Sequence, residues 1–297
     1  VEPVLQRLWD GAEKSAGTGA CYEVCAVVTQ PPRPVGKRGK KVLTKTPVHE
    51  LAEALGVKQI WHPEKAKDEQ FLAELEALEP DVCITAAYGQ YLPKRFLATP
   101  KLGTLNIHPS LLPRWRGAAP VPRALVGGDD VTGVTVLYTV PKMDAGPMVA
   151  KRSIEMVGNE TNEYMLDLLF KWGVDALIAD IFPPLFKGDL TMAEAEVQDE
   201  AQVTHAAMMS KDEGRLWPHN ETARQMRDKT RGFMGWPGTT LALALSGSLK
   251  PPQPFRVKVF PGCVVARAAD VLGAEEAPES HLFWAPAAGE RPDAVGV

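Results

Sequence analysis

The chain has 297 residues, of which 45% are hydrophobic and 24% are charged, a composition typical of a globular protein. This length is enough for at least one substantial core, and we expect two. The sequence contains no run of about 18 apolar residues, which excludes a membrane-spanning helix. Its four cysteines lack paired metal-ligand spacing, so we expect reduced thiols and a reducing compartment.

The formal net charge of −4 is distributed unevenly along the chain. Residues 33–45 include six basic residues and no acidic one, whereas residues 152–207 include three basic and eleven acidic residues. Residues 211–267 are again basic, with ten basic residues against four acidic ones. Two concentrated basic stretches in an acidic chain indicate a local contact with a polyanion. A solvated loop and a solvated helix face explain the same charges, and composition alone does not choose between these interpretations.

Short apolar runs alternate with amphipathic segments through the first half of the chain. Strands are predicted at residues 22–30, 59–61, 81–88, 103–108 and 132–140, and helices at residues 48–56 and 69–78. This alternation predicts an α/β fold with a doubly wound, mainly parallel, Rossmann-like sheet that is covered on both faces. Residues 1–10 have helical spacing and no strand before them. We therefore expect the first strand of such a sheet to be missing from this sequence.

The second half of the chain changes character. A long helical pattern over residues 161–188 is interrupted at Pro183-Pro184, and a polar, acidic stretch follows. A basic helix at 223–233 and strands at 241–249 and 256–266 then indicate a small β-rich domain. We predict a first domain at residues 1–188, a linker at 189–207 and an incomplete second domain at 208–297.

Three polar side chains lie at or just after the ends of predicted strands. Asn106 and His108 lie at the end of one strand and point to the same face, roughly 6.6–6.8 Å apart. Asp144 follows the next strand, which predicts a carboxylate at the same sheet edge. An amide and an imidazole supported by a carboxylate can stabilise an oxyanion, and without a serine or cysteine nucleophile the simplest chemistry is direct transfer to an amine. On spacing alone, a capping asparagine, a core histidine and a turn aspartate remain alternatives.

Residues 106–120 read NIHPSLLPRWRGAAP, which resembles the signature of the folate-dependent formyltransferases. Within that superfamily, the continuation RWRGAAP is similar to the methionyl-tRNA formyltransferases. Further matching segments lie at residues 27–41, 86–93, 132–148 and 210–217. The resemblance covers roughly residues 20 to 240.

The resemblance implies a role for three sets of residues. The catalytic residues would be Asn106, His108 and Asp144. The loop that holds the folate would be Ser110, Leu111, Leu112 and Pro113. The basic loop that engages the tRNA acceptor stem would include Lys37, Arg38, Lys40 and Lys41. The second domain would be an OB-like, tRNA-binding β-barrel, which we expect to be truncated.

The implied activity is formyl transfer from 10-formyltetrahydrofolate to the α-amine of methionyl-initiator tRNA for translation initiation, without a metal. We expect a soluble monomer that contacts no membrane, in a bacterial cytoplasm or in the interior of a mitochondrion or plastid. There are two alternatives. A formyltransferase acting on a small amine or an amino-sugar nucleotide is disfavoured by the basic loop and second domain. A tRNA-binding relative without catalysis is disfavoured by the complete set of three polar residues.

Overall fold

A computed structural model describes residues 2–15, 22–36, 41–243 and 255–261. The chain divides into two compact units. Unit 1 comprises Val1–Pro120, Gly133–Ile154 and Leu166–Ala206, and unit 2 comprises Val121–Thr132, Glu155–Met165 and Ala207–Val297. In the described part of the chain, no helix is long and apolar enough to cross a membrane.

The described residues form eight α-helices: α1 (Glu2–Ser15), α2 (Pro47–Ala54), α3 (Glu69–Leu78), α4 (Lys94–Ala98), α5 (Pro120–Val126), α6 (Asn162–Ala176), α7 (Phe182–Lys187) and α8 (Ala223–Gly232). Helices α2, α3 and α8 confirm the helices predicted from periodicity. Their first residues follow polar N-caps, as expected for helix starts: Thr46, Asp68 and Thr222 each accept a hydrogen bond from a backbone amide of the first turn.

The long helical pattern at 161–188 is interrupted, but not at its prolines. A π-helical stretch, Leu177–Ile181, separates α6 from α7. Pro183 and Pro184 lie in the first turn of α7, where a missing backbone N–H removes no intrahelical hydrogen bond. The break therefore precedes the Pro183-Pro184 pair, which begins a helix instead of ending one.

The described residues form ten strands: β1 (Ala26–Val28), β2 (Arg33–Val35), β3 (Val42–Thr44), β4 (Gln59–Trp61), β5 (Cys83–Thr85), β6 (Thr104–His108), β7 (Val131–Tyr138), β8 (Met148–Glu155), β9 (Thr239–Leu243) and β10 (Phe255–Val259). β1 pairs with β4 in parallel. The largest sheet has the order β5-β6-β7-β8, in which β5 and β6 are parallel and β6 and β7 are antiparallel. These pairs, together with the helices, confirm the predicted α/β class.

The four-stranded sheet β5-β6-β7-β8 has two chemically different faces. Ile107 and Val134 face α6, where a Cβ added to Gly173 would lie 2.2 Å from the Ile107 side chain, so glycine is needed for this close approach. Successive strand residues point to opposite faces. Asn106 and His108 therefore point away from α6. The packed face is apolar and the opposite face carries the polar groups of interest.

Three parts of unit 1 differ from what the sequence suggests. The basic segment at 33–45, interpreted as a loop, contains the antiparallel ribbon β2–β3. β8 was not predicted because its sequence, MVAKRSIE, mixes charged and apolar residues, as an edge strand allows. Residues 189–206, interpreted as most of a linker, belong to unit 1, where Glu196 pairs with Met148 and Gln198 is buried.

In unit 2, α8 lies beside the antiparallel pair β9–β10. Leu216, Met226 and Leu241 form its buried apolar cluster, against which Val257 and Val259 pack. The predicted strands at 241–249 and 256–266 coincide with β9 and β10 only in part. Residues 260–261 are not in a strand, residues 244–249 and 262–266 lie outside the described residues, and the OB-like barrel remains a prediction.

Candidate active site

Asn106 lies on β6 directly beside Thr85 of β5, its partner in the strand register. The Thr85 hydroxyl donates a hydrogen bond of 2.9 Å to Oδ1 of Asn106. This bond fixes the orientation of the amide, whose Nδ2 group is the donor that Asn106 can offer to a developing oxyanion.

His108 is buried at the end of β6, with 4% of its surface exposed. Its Nε2 lies 2.9 Å from the carbonyl oxygen of Trp115. Since a carbonyl can only accept, Nε2 carries a proton in this contact. The other ring nitrogen, Nδ1, faces Oδ2 of Asp144 at 3.7 Å.

Asp144 reaches the site by a different path from the one that the sequence predicts. A β7 parallel to β6 would end at the carboxyl edge of the sheet and would carry Asp144 there. That prediction is wrong, since β7 is antiparallel to β6 and Tyr138, the last residue of β7, pairs with Leu105. Asp144 instead reaches His108 through the loop that joins β7 to β8. Its Oδ2 also accepts a hydrogen bond of 2.8 Å from the backbone amide of Gly117.

The backbone around His108 is strained on both sides. Trp115 and Asp144 have φ values of 65° and 48°, in the left-handed region that L-residues seldom adopt. Gly117 has a φ of 126°, and a Cβ there would lie 2.7 Å from the carbonyl oxygen of Ala206. Residues in such conformations cost free energy and concentrate at functional sites. The strain therefore falls on the two residues whose oxygens face the imidazole.

The predicted folate loop divides into buried and accessible parts. Ser110 is fully buried and its hydroxyl donates to the carbonyl of Arg114 at 2.8 Å. Leu111, Leu112 and Pro113 line a cavity of about 550 Å³, together with Arg114, Lys151, Ser153 and Gln202. Three of the four predicted residues thus line a cavity, and Ser110 stabilises the loop through its buried hydrogen bond.

The predicted tRNA-binding residues are only partly described. Lys41 is exposed and directly precedes β3. Lys37, Arg38 and Lys40 lie outside the described residues. The role of all four residues stays a prediction.

Two residues in contact with the site were given no role by sequence reasoning. Arg116 lies in the quoted motif, and its buried guanidinium donates to Gln198 and Glu200. Gln198 donates to two carbonyls of the Asp144 loop. Hydrogen bonds from Lys142 and Arg116 hold the pKa of the Glu200 carboxyl below its usual range. The stretch around Gln198 is polar and acidic, so no local sequence pattern indicates that Gln198 is buried.

The motif, the fold and the geometry together define a formyltransferase. Residues 2–181 match the Formyl transferase family, and the chain belongs to that family of one-carbon transfer enzymes. The chain is 36% identical to the methionyl-tRNA formyltransferase of Herpetosiphon aurantiacus over 287 residues, covering 92% of this chain and 88% of that protein. It is 41% identical to the methionyl-tRNA formyltransferase of Methylococcus capsulatus over 250 residues, covering 82% and 77%.

A solved structure shares the fold at much lower sequence identity. The sugar N-formyltransferase from Shewanella matches with a TM-score of 0.63 and 14% identity, covering 90% of this chain and 96% of that one. At this identity the likeness supports the fold alone.

Proposed function

We propose that this enzyme transfers the formyl group of 10-formyltetrahydrofolate to the α-amine of methionyl-initiator tRNA. The observation that carries the proposal is the position of Asp144 beside His108, in a chain that a methionyl-tRNA formyltransferase matches over 92% of its length. That match extends past unit 1 into the basic stretch at residues 211–267. If the acceptor were a small amine, these basic segments would have no polyanion to bind.

The cavity beside the 111–113 loop suits the folate that supplies the formyl group. Its volume of about 550 Å³ is within the usual range of small-molecule sites, roughly 300–1,000 Å³. Leu111, Leu112 and Pro113 offer apolar surface to an aromatic ring system. Arg114 and Lys151 offer cationic groups to carboxylates. The residues present therefore fit both chemical parts of a folate.

Two donors would stabilise the oxygen of the attacked formyl group. Nδ2 of Asn106 is one, and the hydrogen bond from Thr85 to the amide oxygen holds the amide in place. Nε2 of His108 is the other, and the formyl oxygen would replace the Trp115 carbonyl as its acceptor. Each such donor contributes roughly 3 kcal/mol to lowering the barrier. Contacts of this kind often form only in the complex with reactants.

Asp144 would support this chemistry in two ways. Its carboxylate faces Nδ1 of His108 and would hold the ring in the orientation in which Nε2 donates to the formyl oxygen. It can also receive, through a water molecule, the proton that the attacking amine loses, and N10 of the folate takes up a proton as its bond to the formyl carbon breaks. A general base in this role accelerates a reaction by about 10²–10⁴-fold. The Gly117 amide keeps the carboxylate aimed at the site.

The acceptor is tested with purified protein, radiolabelled 10-formyltetrahydrofolate and two amines: methionyl-initiator tRNA and an amino-sugar nucleotide. We expect label in the tRNA and none in the sugar nucleotide. The His108→Ala variant should lose the transfer. His62→Ala, which removes an exposed histidine of unit 1, is the matched control and should keep it.

Transfer to the sugar nucleotide alone would replace the proposed acceptor while retaining the family chemistry. Absence of transfer to either amine, with folate bound, would contradict the proposed activity altogether.

A further inference from the structure

We propose that Gln198 is a positioning residue, whose side-chain amide holds the loop that carries Asp144 so that the carboxylate faces His108. The effect of this residue on catalysis rests on the function proposed above, whereas the hydrogen bonds that Gln198 makes do not depend on that function.

Gln198 is 5% exposed, and every hydrogen-bonding group of its side chain is used. Its Nε2 donates to the carbonyl oxygens of Asp144 and Gly146, each at 2.8 Å. Its Oε1 accepts from Nε of Arg116 at 2.9 Å. One side chain thus joins the loop after β7 to the motif after β6, the two segments that face the imidazole of His108.

Arg116 fixes Gln198 from the other side. It is 2% exposed, and its Nη1 donates to Glu200 at 3.0 Å. Its backbone amide donates to the carbonyl of Thr204, and its carbonyl accepts from the amide of Ala206. The amide of Gln198 therefore has little freedom to follow the Asp144 loop if that loop moves.

The Asp144 loop is held at two levels. The backbone is held by Gln198, and the carboxylate is held by the Gly117 amide at 2.8 Å. The loop is also tightly packed, since a Cβ added to Gly146 would lie 1.7 Å from the carbonyl of Tyr138. Without the two bonds from Gln198, two carbonyls would lose their donors and the loop would shift to find others. A misplacement of about 1 Å costs a catalytic group on the order of 100-fold in rate.

Gln198→Glu separates positioning from simple packing. The substituted side chain has nearly the same shape and can still accept from Arg116, but it has no N–H to donate to the loop carbonyls. We expect kcat for formyl transfer to fall by about 10–100-fold, with the KM for folate and for tRNA changed less than about threefold. Gln198→Met should show the same loss, while Gln70→Met, at an exposed site on α3, should show none.

A second readout requires no substrate. The Gly117 amide donates to Asp144, so its hydrogen exchange, followed by NMR, reports where the carboxylate lies. We expect exchange at Gly117 to be about tenfold faster in Gln198→Glu than in the unaltered protein, with little change in the core amides of β7. In an Asp144→Asn background, Gln198→Glu should reduce kcat by less than about twofold further, because a positioning residue acts through the group that it positions.

An unchanged Gly117 exchange rate in Gln198→Glu would overturn the proposal, as would a loss of kcat that is equally large in the Asp144→Asn background. Unaltered protein that does not formylate methionyl-tRNA would contradict the proposed function, and the exchange measurement would still decide the positioning role. If Gln198→Met unfolds early, Gln198→Glu decides the question, because it keeps the Arg116 contact.

Discussion

Nδ1 of His108 lies 3.7 Å from Oδ2 of Asp144, a separation longer than a hydrogen bond. The same carboxylate oxygen already accepts from Gly117 at 2.8 Å. Catalytic contacts are often long without reactants and shorten when the reacting groups bind. We interpret the gap in this way.

Asp144→Asn should leave the fold intact and remove most of the transferase activity. Asparagine retains an oxygen that can accept from Gly117, but it removes the negative charge beside His108 and the base for the amine proton. We expect kcat to fall by about 10²–10⁴-fold with a melting temperature close to that of the unaltered protein. Single-turnover transfer at saturating folate measures the effect.

Asp189→Asn is the matched control for this change, since Asp189 is exposed in the turn after α7. It should retain full activity. Near-normal turnover of Asp144→Asn would remove Asp144 from the mechanism, whatever its distance from His108.

His108→Ala should lower kcat about as much as Asp144→Asn does, and the double variant should be only slightly worse than either single one. The reason is that the imidazole and the carboxylate act together on the same tetrahedral intermediate, and the effects of groups that work as a unit are non-additive. A double-mutant cycle on kcat measures the coupling. Strictly multiplicative losses would mean that the two side chains act independently.

Much of the fold could be predicted because its apolar periodicity is strong. The EQFLAELEAL helix was predicted with the bounds of α3, since its apolar residues have helical spacing. The strand directions could not be predicted from periodicity, and β7 is antiparallel where a parallel sheet was expected. A strand has the same alternation in either direction, so only the connection and the register reveal it.

The site was predicted mainly through its resemblance to a family, and less through physical reasoning. Asn106 and His108 lie on the same face of their strand, which follows directly from the alternation of side chains along a strand. The position of Asp144 beside His108 depends on the conformation of the loop between β7 and β8, which no local sequence pattern predicts. The burial of Gln198 is the hardest feature of the site to predict, because the sequence VQDE is typical of a solvated stretch. Gln198 is buried through its contact with Arg116, which lies 82 residues earlier in the chain.

The stability of unit 2 should depend on pH through Glu213. A hydrogen bond from Arg123 lowers the pKa of the Glu213 carboxyl from 4.5 to about 2. Because the pKa is lower in the folded state, the carboxylate stabilises the fold fully above about pH 4.5 and loses this effect as the pH falls toward 2. Glu213→Gln should therefore lower the urea midpoint at pH 7 but much less at pH 3.

The control for Glu213 is Glu64→Gln, at a strongly exposed carboxylate of unit 1. Its midpoint should match that of the unaltered protein at both pH values. An equal difference between Glu213→Gln and the unaltered protein at pH 7 and pH 3 would show that the effect is not one of ionisation.

Replacing Lys37, Arg38, Lys40 and Lys41 together by alanine should weaken tRNA binding without affecting chemistry. These residues lie in a glycine- and proline-rich segment, and Lys41 is exposed. Phosphate contacts are electrostatic, so each lost contact should reduce the log–log salt dependence of affinity by about one unit or less. Binding of methionyl-tRNA measured from low to moderate salt tests this, and folate binding and the melting temperature should stay near normal.

The matched control replaces four exposed lysines elsewhere in unit 1 by alanine, namely Lys65, Lys67, Lys94 and Lys101. Both variants change the net charge by the same amount, so any general electrostatic attraction to tRNA falls equally in the two. A loss of affinity and of salt dependence only in the first variant identifies the basic loop as the contact. Equal losses would mean that tRNA responds to overall charge, and an unchanged first variant would mean that the loop is a solvated surface.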